Sequence, residues 1–74
     1  MTHTQKLHRA VGARVQSRRL KLGLTQQELA KKLRVSGAHV SYIERGERGV
    51  SLATLHRIAR VLDTSVGRLV PMDV

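Results

Sequence analysis

Apolar residues recur at three- and four-residue intervals along most of the chain, with polar residues between them. From about Thr4 to Leu22 this spacing joins Leu7, Val11 and Val15, and Gly23 follows as a terminator. Such spacing places apolar side chains on one face of an α-helix, whereas a strand needs a two-residue alternation that no segment shows. The pattern therefore predicts an all-α fold that opens with a long helix.

Four shorter helices are predicted after it, each preceded by a hydroxyl residue that can act as an N-cap. Thr25 opens TQQELAKKL, where Glu28 three residues later completes the pattern of a capping box. Ser36 opens a third helix that ends at Gly46, Ser51 opens SLATLHRIARVL, and a last turn runs from Ser65 to Val70 before Pro71. The sequence thus predicts one domain over residues 1–74, with a core at 5–70 and a short tail at 71–74.

Basic residues outnumber acidic ones, with 14 Lys and Arg against 5 Asp and Glu and a formal net charge of +9. Residues 1–34 hold nine of the bases and one acid. Self-repulsion of this size is most easily understood if the partner is a polyanion such as nucleic acid. The alternative is that the charge serves solubility alone.

Several chemistries are disfavoured by the composition. Cysteine is absent and Tyr42 is the sole aromatic residue, which removes thiol chemistry and any platform for stacking single-stranded nucleic acid. The histidines at positions 3, 8, 39 and 56 lack ligand-like spacing, and no nucleophile has a recognisable His and Asp partner. We expect no enzyme, no metal and no cofactor. No apolar run suits a membrane span or a secretory signal, so the default is a cytoplasmic protein.

The second and third predicted helices are joined by only a few residues, 33–35, which is the layout of a helix-turn-helix. In that motif the second helix enters the major groove of DNA and the first lies across the backbone. The first helix of the motif is the second along the chain. Its start offers N–H groups and neutral donors at Thr25, Gln26 and Gln27 that suit a phosphate oxygen. The alternative is that these are ordinary capping residues of the helix. The layout predicts double-stranded DNA as the partner.

The run from about Val15 to Val70 also resembles a known family. Its motifs GLTQxELA and VSxxxVSxIERG, with a helix that ends in ARVL, are as a set similar to the Xre family of lambda-repressor-like and Cro-like regulators. The resemblance implies a compact five-helix lambda-repressor-like domain, a homodimer, a palindromic operator and control of transcription initiation.

Particular residues acquire roles through this resemblance. Gln26 is expected to contact phosphate and to support the third helix, and Arg19 and Glu44 to form an ion pair that orients it. From the residues themselves we expect a partly buried two-point bridge, with an exposed pair of little value as the alternative. The expected backbone contacts are Arg45 and Arg48, and the expected base-reading face is Ser36, Gly37, Ala38, Ser41 and Tyr42, with His39 beside it.

The sequence departs from the family at Arg34, where a glycine is common in a left-handed turn. A non-glycine residue in that conformation is strained by roughly 1 kcal/mol. The equivalent turn after the fourth helix holds Asp63, which tolerates this backbone better.

The base-reading face is nearly empty at Gly37 and Ala38. Without a longer side chain there, amide-type recognition of a purine is not expected from these positions. We expect specificity to rest on four polar side chains, on contact of Ala38 with a thymine methyl group and on DNA shape. The four are Ser36, His39, Ser41 and Tyr42.

The C-terminal segment carries more apolar residues than its length requires, namely Val66, Leu69, Val70, Met72 and Val74. One explanation is that they close the core beneath the first helix. The other is that part of this stripe, at Val66, Leu69, Val70 and Met72, forms a symmetric dimer contact.

Together these features predict a dimeric, sequence-specific double-stranded DNA-binding transcriptional regulator, most simply a repressor. It would act by occupying a promoter or by recruiting RNA polymerase through its position. A restriction-system controller or a small phage or plasmid repressor fits the length. The alternative is an antitoxin-type interaction module that neutralises a toxin-like partner and autoregulates its own operon, and an RNA-binding role is a third reading.

Overall fold

The computed structural model describes residues 1–71. Within that range the chain forms five α-helices and no strand, so the predicted fold class is confirmed. The helices are α1 His3–Lys21, α2 Gln26–Leu33, α3 Gly37–Arg45, α4 Leu52–Val61 and α5 Val66–Leu69. None of the helices in the described part of the chain is long and apolar enough to cross a membrane.

Hydroxyl side chains cap the helices where the sequence predicted. At α2, Thr25 Oγ1 accepts the Glu28 N–H at 3.0 Å and Glu28 Oε1 accepts the Thr25 N–H at 2.9 Å. These hydrogen bonds to Thr25 hold the pKa of Glu28 below its ordinary value. The contribution of this carboxylate is therefore present at neutral pH and is lost as the pH falls through the lowered pKa. A second capping box, between Thr2 and Gln5, was not anticipated and starts α1 one residue earlier.

Four helices end with the same left-handed turn. At the end of α1, the N–H groups of Gly23 and Leu24 donate to carbonyls within the last turn of the helix, which is the Schellman pattern. Gly46 plays the same part after α3. The other two turns use non-glycine residues, Arg34 with φ 60° and Asp63 with φ 53°. The predicted left-handed backbone at Arg34 is confirmed.

Replacing Arg34 by glycine should raise the melting temperature. Relief of a strain of about 1 kcal/mol in a domain of this size corresponds to a rise of roughly 4 °C or more. The matched control is Lys32→Gly, two residues earlier at an exposed position within α2, where glycine should lower the melting temperature. Thermal unfolding followed by circular dichroism measures both, and an unchanged or lower value for Arg34→Gly would contradict the strain.

The core forms where α1 to α4 meet, and α5 closes it. Its most deeply buried side chains are Leu29, Ile58, Leu62, Leu69, Val15 and Val40. Helices α1 and α3 approach each other closely at Gly12 in α1. A Cβ atom on Gly12 would lie 2.2 Å from the carbonyl oxygen of Ile43 and 2.6 Å from that of Glu44. The absence of a side chain at Gly12 therefore sets the distance between α1 and α3.

Several arginines hold the ends of helices together. Arg18 donates from Nε to the Leu62 carbonyl and from Nη2 to the Asp63 carbonyl, both at 2.8 Å. Arg14 donates to the carbonyl of Arg68 at 3.0 Å, and Arg57 donates to the carbonyl of Leu33. Two of the basic side chains in residues 1–34, Arg14 and Arg18, thus make hydrogen bonds within the domain.

The residues of the C-terminal apolar stripe differ in burial. Leu69 is 2% exposed and belongs to the core, so its prediction as a dimer contact is wrong, because its side chain reaches no surface. Val66 and Val70 pack against the core and stay half-buried. Met72 and Val74 lie outside the described residues.

Candidate nucleic-acid interface

Helices α2 and α3 are joined by residues 34–36 and pack against each other through buried apolar side chains, including Leu33 and Val40. The outer side of α3 carries the six predicted base-reading residues, which we call the α3 face: Ser36, Gly37, Ala38, His39, Ser41 and Tyr42. All six are exposed or half-buried. The inner side of the helix is fixed to the core while this face stays open.

A buried ion pair fixes α3 to α1. Arg19 Nε donates to Glu44 Oε2 at 2.6 Å and Arg19 Nη2 donates to Glu44 Oε1 at 3.0 Å. The two side chains are 7% and 1% exposed. The hydrogen bonds to Glu44 raise the pKa of Arg19 above its ordinary value, more than burial opposes it. A third donor of Arg19, Nη1, binds the Leu24 carbonyl at 2.7 Å, which also ties down the segment before α2.

The N-terminal turn of α2 is linked to the same carboxylate. Gln26 Nε2 donates to Glu44 Oε1 at 3.1 Å, so Gln26 supports α3. The Thr25 hydroxyl oxygen and N–H are both engaged in the capping box. The N–H groups of Gln26 and Gln27 lie in the first turn of α2, where a helix has no internal acceptors. These two groups and the positive end of the helix dipole can receive an anion.

Ser36 occupies the N-cap of α3. Its Oγ accepts the N–H of His39 at 3.0 Å, which leaves the hydroxyl proton to donate elsewhere. The serine therefore starts the helix and still presents a donor at the end of the α3 face.

Tyr42 lies against two guanidinium groups at the other end of α3. The ring centroid is 4.7 Å from Arg48 Cζ and 5.5 Å from Arg45 Cζ, within the range of a cation–π contact. Arg45 also donates from Nε and Nη2 to the Glu47 carboxylate, each at 3.1 Å. The side chains of this pair are 55% and 50% exposed, so the pair adds little stability. Two cations thus flank the one aromatic side chain of the α3 face.

Two of these features escaped sequence reasoning. The role of Gly12 had a usable signal, since glycine inside a long predicted helix costs about 1 kcal/mol relative to alanine and indicates close packing. The contact of Arg45 with Glu47 had no distinctive signal, because charged residues two positions apart in a loop are common.

Comparison with known proteins gives a match to the helix-turn-helix family model over residues 15–69. The chain is 37% identical over 60 residues to an uncharacterized HTH-type transcriptional regulator of Archaeoglobus fulgidus, and the match covers 81% of this chain and 86% of that one.

Solved structures resemble it closely. The clp gene regulator ClgR of Corynebacterium glutamicum is 38% identical with a TM-score of 0.81, over 85% of this chain and 82% of that chain. The restriction-modification controller protein C.AhdI of Aeromonas hydrophila is 33% identical with a TM-score of 0.78, over 82% and 92%. Hydroxypropylphosphonic acid epoxidase of S. wedmorenis is 32% identical with a TM-score of 0.86, over 90% of this chain but 36% of that enzyme.

Proposed function

The chain belongs to the Xre-like helix-turn-helix family of transcriptional regulators, and from that premise we propose that it is a sequence-specific double-stranded DNA-binding repressor. The observation that carries the proposal is the anchoring of α3. The buried linkage of Arg19, Glu44 and Gln26 holds the helix rigidly, while its outer face stays open to a ligand. Rigid support behind an exposed helix is what reading base edges requires.

In the proposed complex α3 enters the major groove and its face meets base edges. The phosphate contacts come from both sides of α3. The N-terminal turn of α2 supplies the first set, at Thr25 and through the backbone N–H groups of Gln26 and Gln27. Arg45 and Arg48 supply the second from the end of α3 and the loop after it. Two sets of backbone contacts on either side of the reading helix would fix its register on the duplex.

We place a homodimer on a palindromic operator. Two copies of α3 would then enter successive major grooves about 34 Å apart. The half-buried Val66 and Val70 are the proposed contacts, because they retain apolar surface beside α5. Repression would be steric, by occupation of a promoter; the same geometry would allow recruitment of RNA polymerase. The names of ClgR and C.AhdI, both regulators, support control of gene expression as the role.

The dependence of affinity on salt tests the proposal. Each phosphate neutralised by a Lys or Arg contributes about −0.9 to the slope of log affinity against log salt, so several contacts give a steep line. Fluorescence anisotropy with a labelled duplex measures the affinity at several salt concentrations from about 50 to about 300 mM, a range that includes the physiological ionic strength. A flat dependence would refute the proposal, and strong preference for duplex RNA would shift it to another class of partner.

Tyr42→Ala and Arg48→Ala should have different effects on DNA binding. Loss of the Tyr42 ring should change the preference at particular base pairs, whereas loss of Arg48 should weaken all sequences about equally. Because the two side chains are in contact, the double variant should show less than the sum of the two losses. Binding to a panel of duplexes with single base-pair changes measures this. Uniform weakening by both variants would mean that Tyr42 does not read bases.

Glu47→Gln should strengthen DNA binding. The Glu47 carboxylate engages Arg45 and repels phosphate, so its neutralisation should free the guanidinium for the backbone. We expect affinity to rise roughly a few-fold at low salt, because the contact of Arg45 with phosphate, already part of the proposed complex, no longer competes with the Glu47 carboxylate. Asp63→Asn is the matched control, since it removes one exposed acid at the turn after α4. If Glu47→Gln and Asp63→Asn raise the affinity equally, the effect comes from the change in net charge and not from the release of Arg45.

A further inference from the structure

The space beside Gly37 is filled by a side chain from another helix. Gly37 is the first residue of α3, and a Cβ atom built on it would lie 2.8 Å from Nε2, 3.0 Å from Cδ and 3.1 Å from Oε1 of Gln27. All three atoms of the amide group are thus nearly equidistant from that point. The amide of Gln27 lies across the position that a side chain at residue 37 would occupy.

Gln27 differs from its neighbour in how its amide is used. The Gln26 amide is tied to the buried Glu44. The Gln27 side chain is exposed, and its amide makes no hydrogen bond to another side chain or backbone group within residues 1–71. It therefore keeps both its donor and its acceptor for a ligand. It holds them beside the N-terminal turn of α3, the part of a reading helix that approaches base edges.

We propose that Gln27 reads a base in the major groove from the position that Gly37 leaves empty. This inference rests on the proposed function and names a specificity-determining residue for it. An amide offers one donor and one acceptor side by side, which matches the N7 acceptor and N6 donor of adenine. The expectation that amide-type recognition is absent from this part of the α3 face considered only the side chains of α3. The structure supplies an amide there from α2.

Gly37 is a necessary partner in this arrangement. A side chain at residue 37 would meet the Gln27 amide at 2.8 Å, too close for both to remain. The clash is with the end of a flexible side chain, so the amide would move and the fold would survive. Gly37→Ala should therefore disturb recognition without unfolding α3.

The test is parallel selection of bound duplexes from a random pool by four proteins: wild type, Gln27→Ala, Gly37→Ala and Gln16→Ala. Gln16→Ala is the matched control, because it removes the same amide from an exposed position on α1. In Gln27→Ala we expect discrimination for adenine at one position of each half-site to fall roughly 5-fold or more. Gly37→Ala should alter the same position, and Gln16→Ala should alter none. Circular dichroism verifies that each variant is folded.

The possible outcomes distinguish failure of the Gln27 role from failure of sequence-specific DNA binding. A wild-type consensus that Gln27→Ala leaves unchanged would overturn the role of Gln27 alone. Equal weakening of all duplexes by Gln27→Ala would make the residue a phosphate contact and also overturn it. A wild-type protein that binds duplex DNA and selects no consensus would overturn sequence-specific recognition itself.

Discussion

Gly12→Ala should lower the free energy of unfolding by about 3 kcal/mol, at the upper end of the usual range for overpacking. The new methyl group would press on the carbonyl oxygens of Ile43 and Glu44 at 2.2 and 2.6 Å. These are backbone atoms of α3, so no side-chain rotation relieves the contact and α1 must move away from α3. In a small domain such a loss is a large fraction of the total stability.

The chain provides a matched control for that substitution. A Cβ atom on Gly67 in α5 would meet nothing nearer than Ser65 Oγ at 3.9 Å, so Gly67→Ala should be neutral or slightly stabilising. Urea denaturation at equilibrium measures both variants. If Gly12→Ala unfolds at the same denaturant concentration as Gly67→Ala, the close contact of α1 and α3 is not present in solution.

Arg19→Met should destabilise the protein by about 3–5 kcal/mol, because it leaves the Glu44 carboxylate buried without its cation. Gln26 would be the sole side chain still bonded to that carboxylate among the contacts described. The double variant Arg19→Met and Glu44→Met should recover much of the loss, since an apolar pair of similar volume removes the unpaired charge. The same denaturation measurement checks both.

The outcome also separates stability from orientation. If the ion pair mainly positions α3, the double variant should be stable and should still bind DNA less selectively than wild type. A loss below about 1 kcal/mol for Arg19→Met is the value of an exposed pair. That result would contradict the buried bridge.

Local sequence patterns were sufficient to predict the helices and where they begin. The three- and four-residue spacing located the helices, and hydroxyl residues such as Thr25 and Ser51 marked their starts because a cap is satisfied within three residues. The left-handed turn at Arg34 was also expected, from the resemblance to a family in which glycine is common at this position.

Contacts between distant parts of the chain were not predictable in the same way. Gly12 and Ile43 are far apart in sequence, so nothing in the local pattern of α1 shows what the glycine faces. The count of nine bases in residues 1–34 did not show that two of them, Arg14 and Arg18, bind carbonyls at the ends of other helices. Leu69 was assigned to a surface because a short segment shows no inner and outer side of its own.

The candidate site was predictable from the sequence only in part. The α3 face followed from helical spacing and resemblance, but the flanking of Tyr42 by two arginines and the placement of Gln27 over Gly37 depend on how loops and helices meet. Side chains from α2 and from the loop after α3, which the sequence predicted only as backbone contacts, thus lie against the α3 face.

Affinity cleavage tests most directly whether α3 enters the major groove. Because the chain has no cysteine, a single Ala38→Cys variant can carry an iron chelate on the exposed start of α3, with Gln16→Cys on α1 as control. On a duplex obtained by selection, we predict strong cuts from position 38 in two clusters roughly one helical turn apart, with weak cuts from position 16. Cleavage from position 38 that is absent, or no stronger or more localised than from position 16, would contradict the placement of α3 in the major groove.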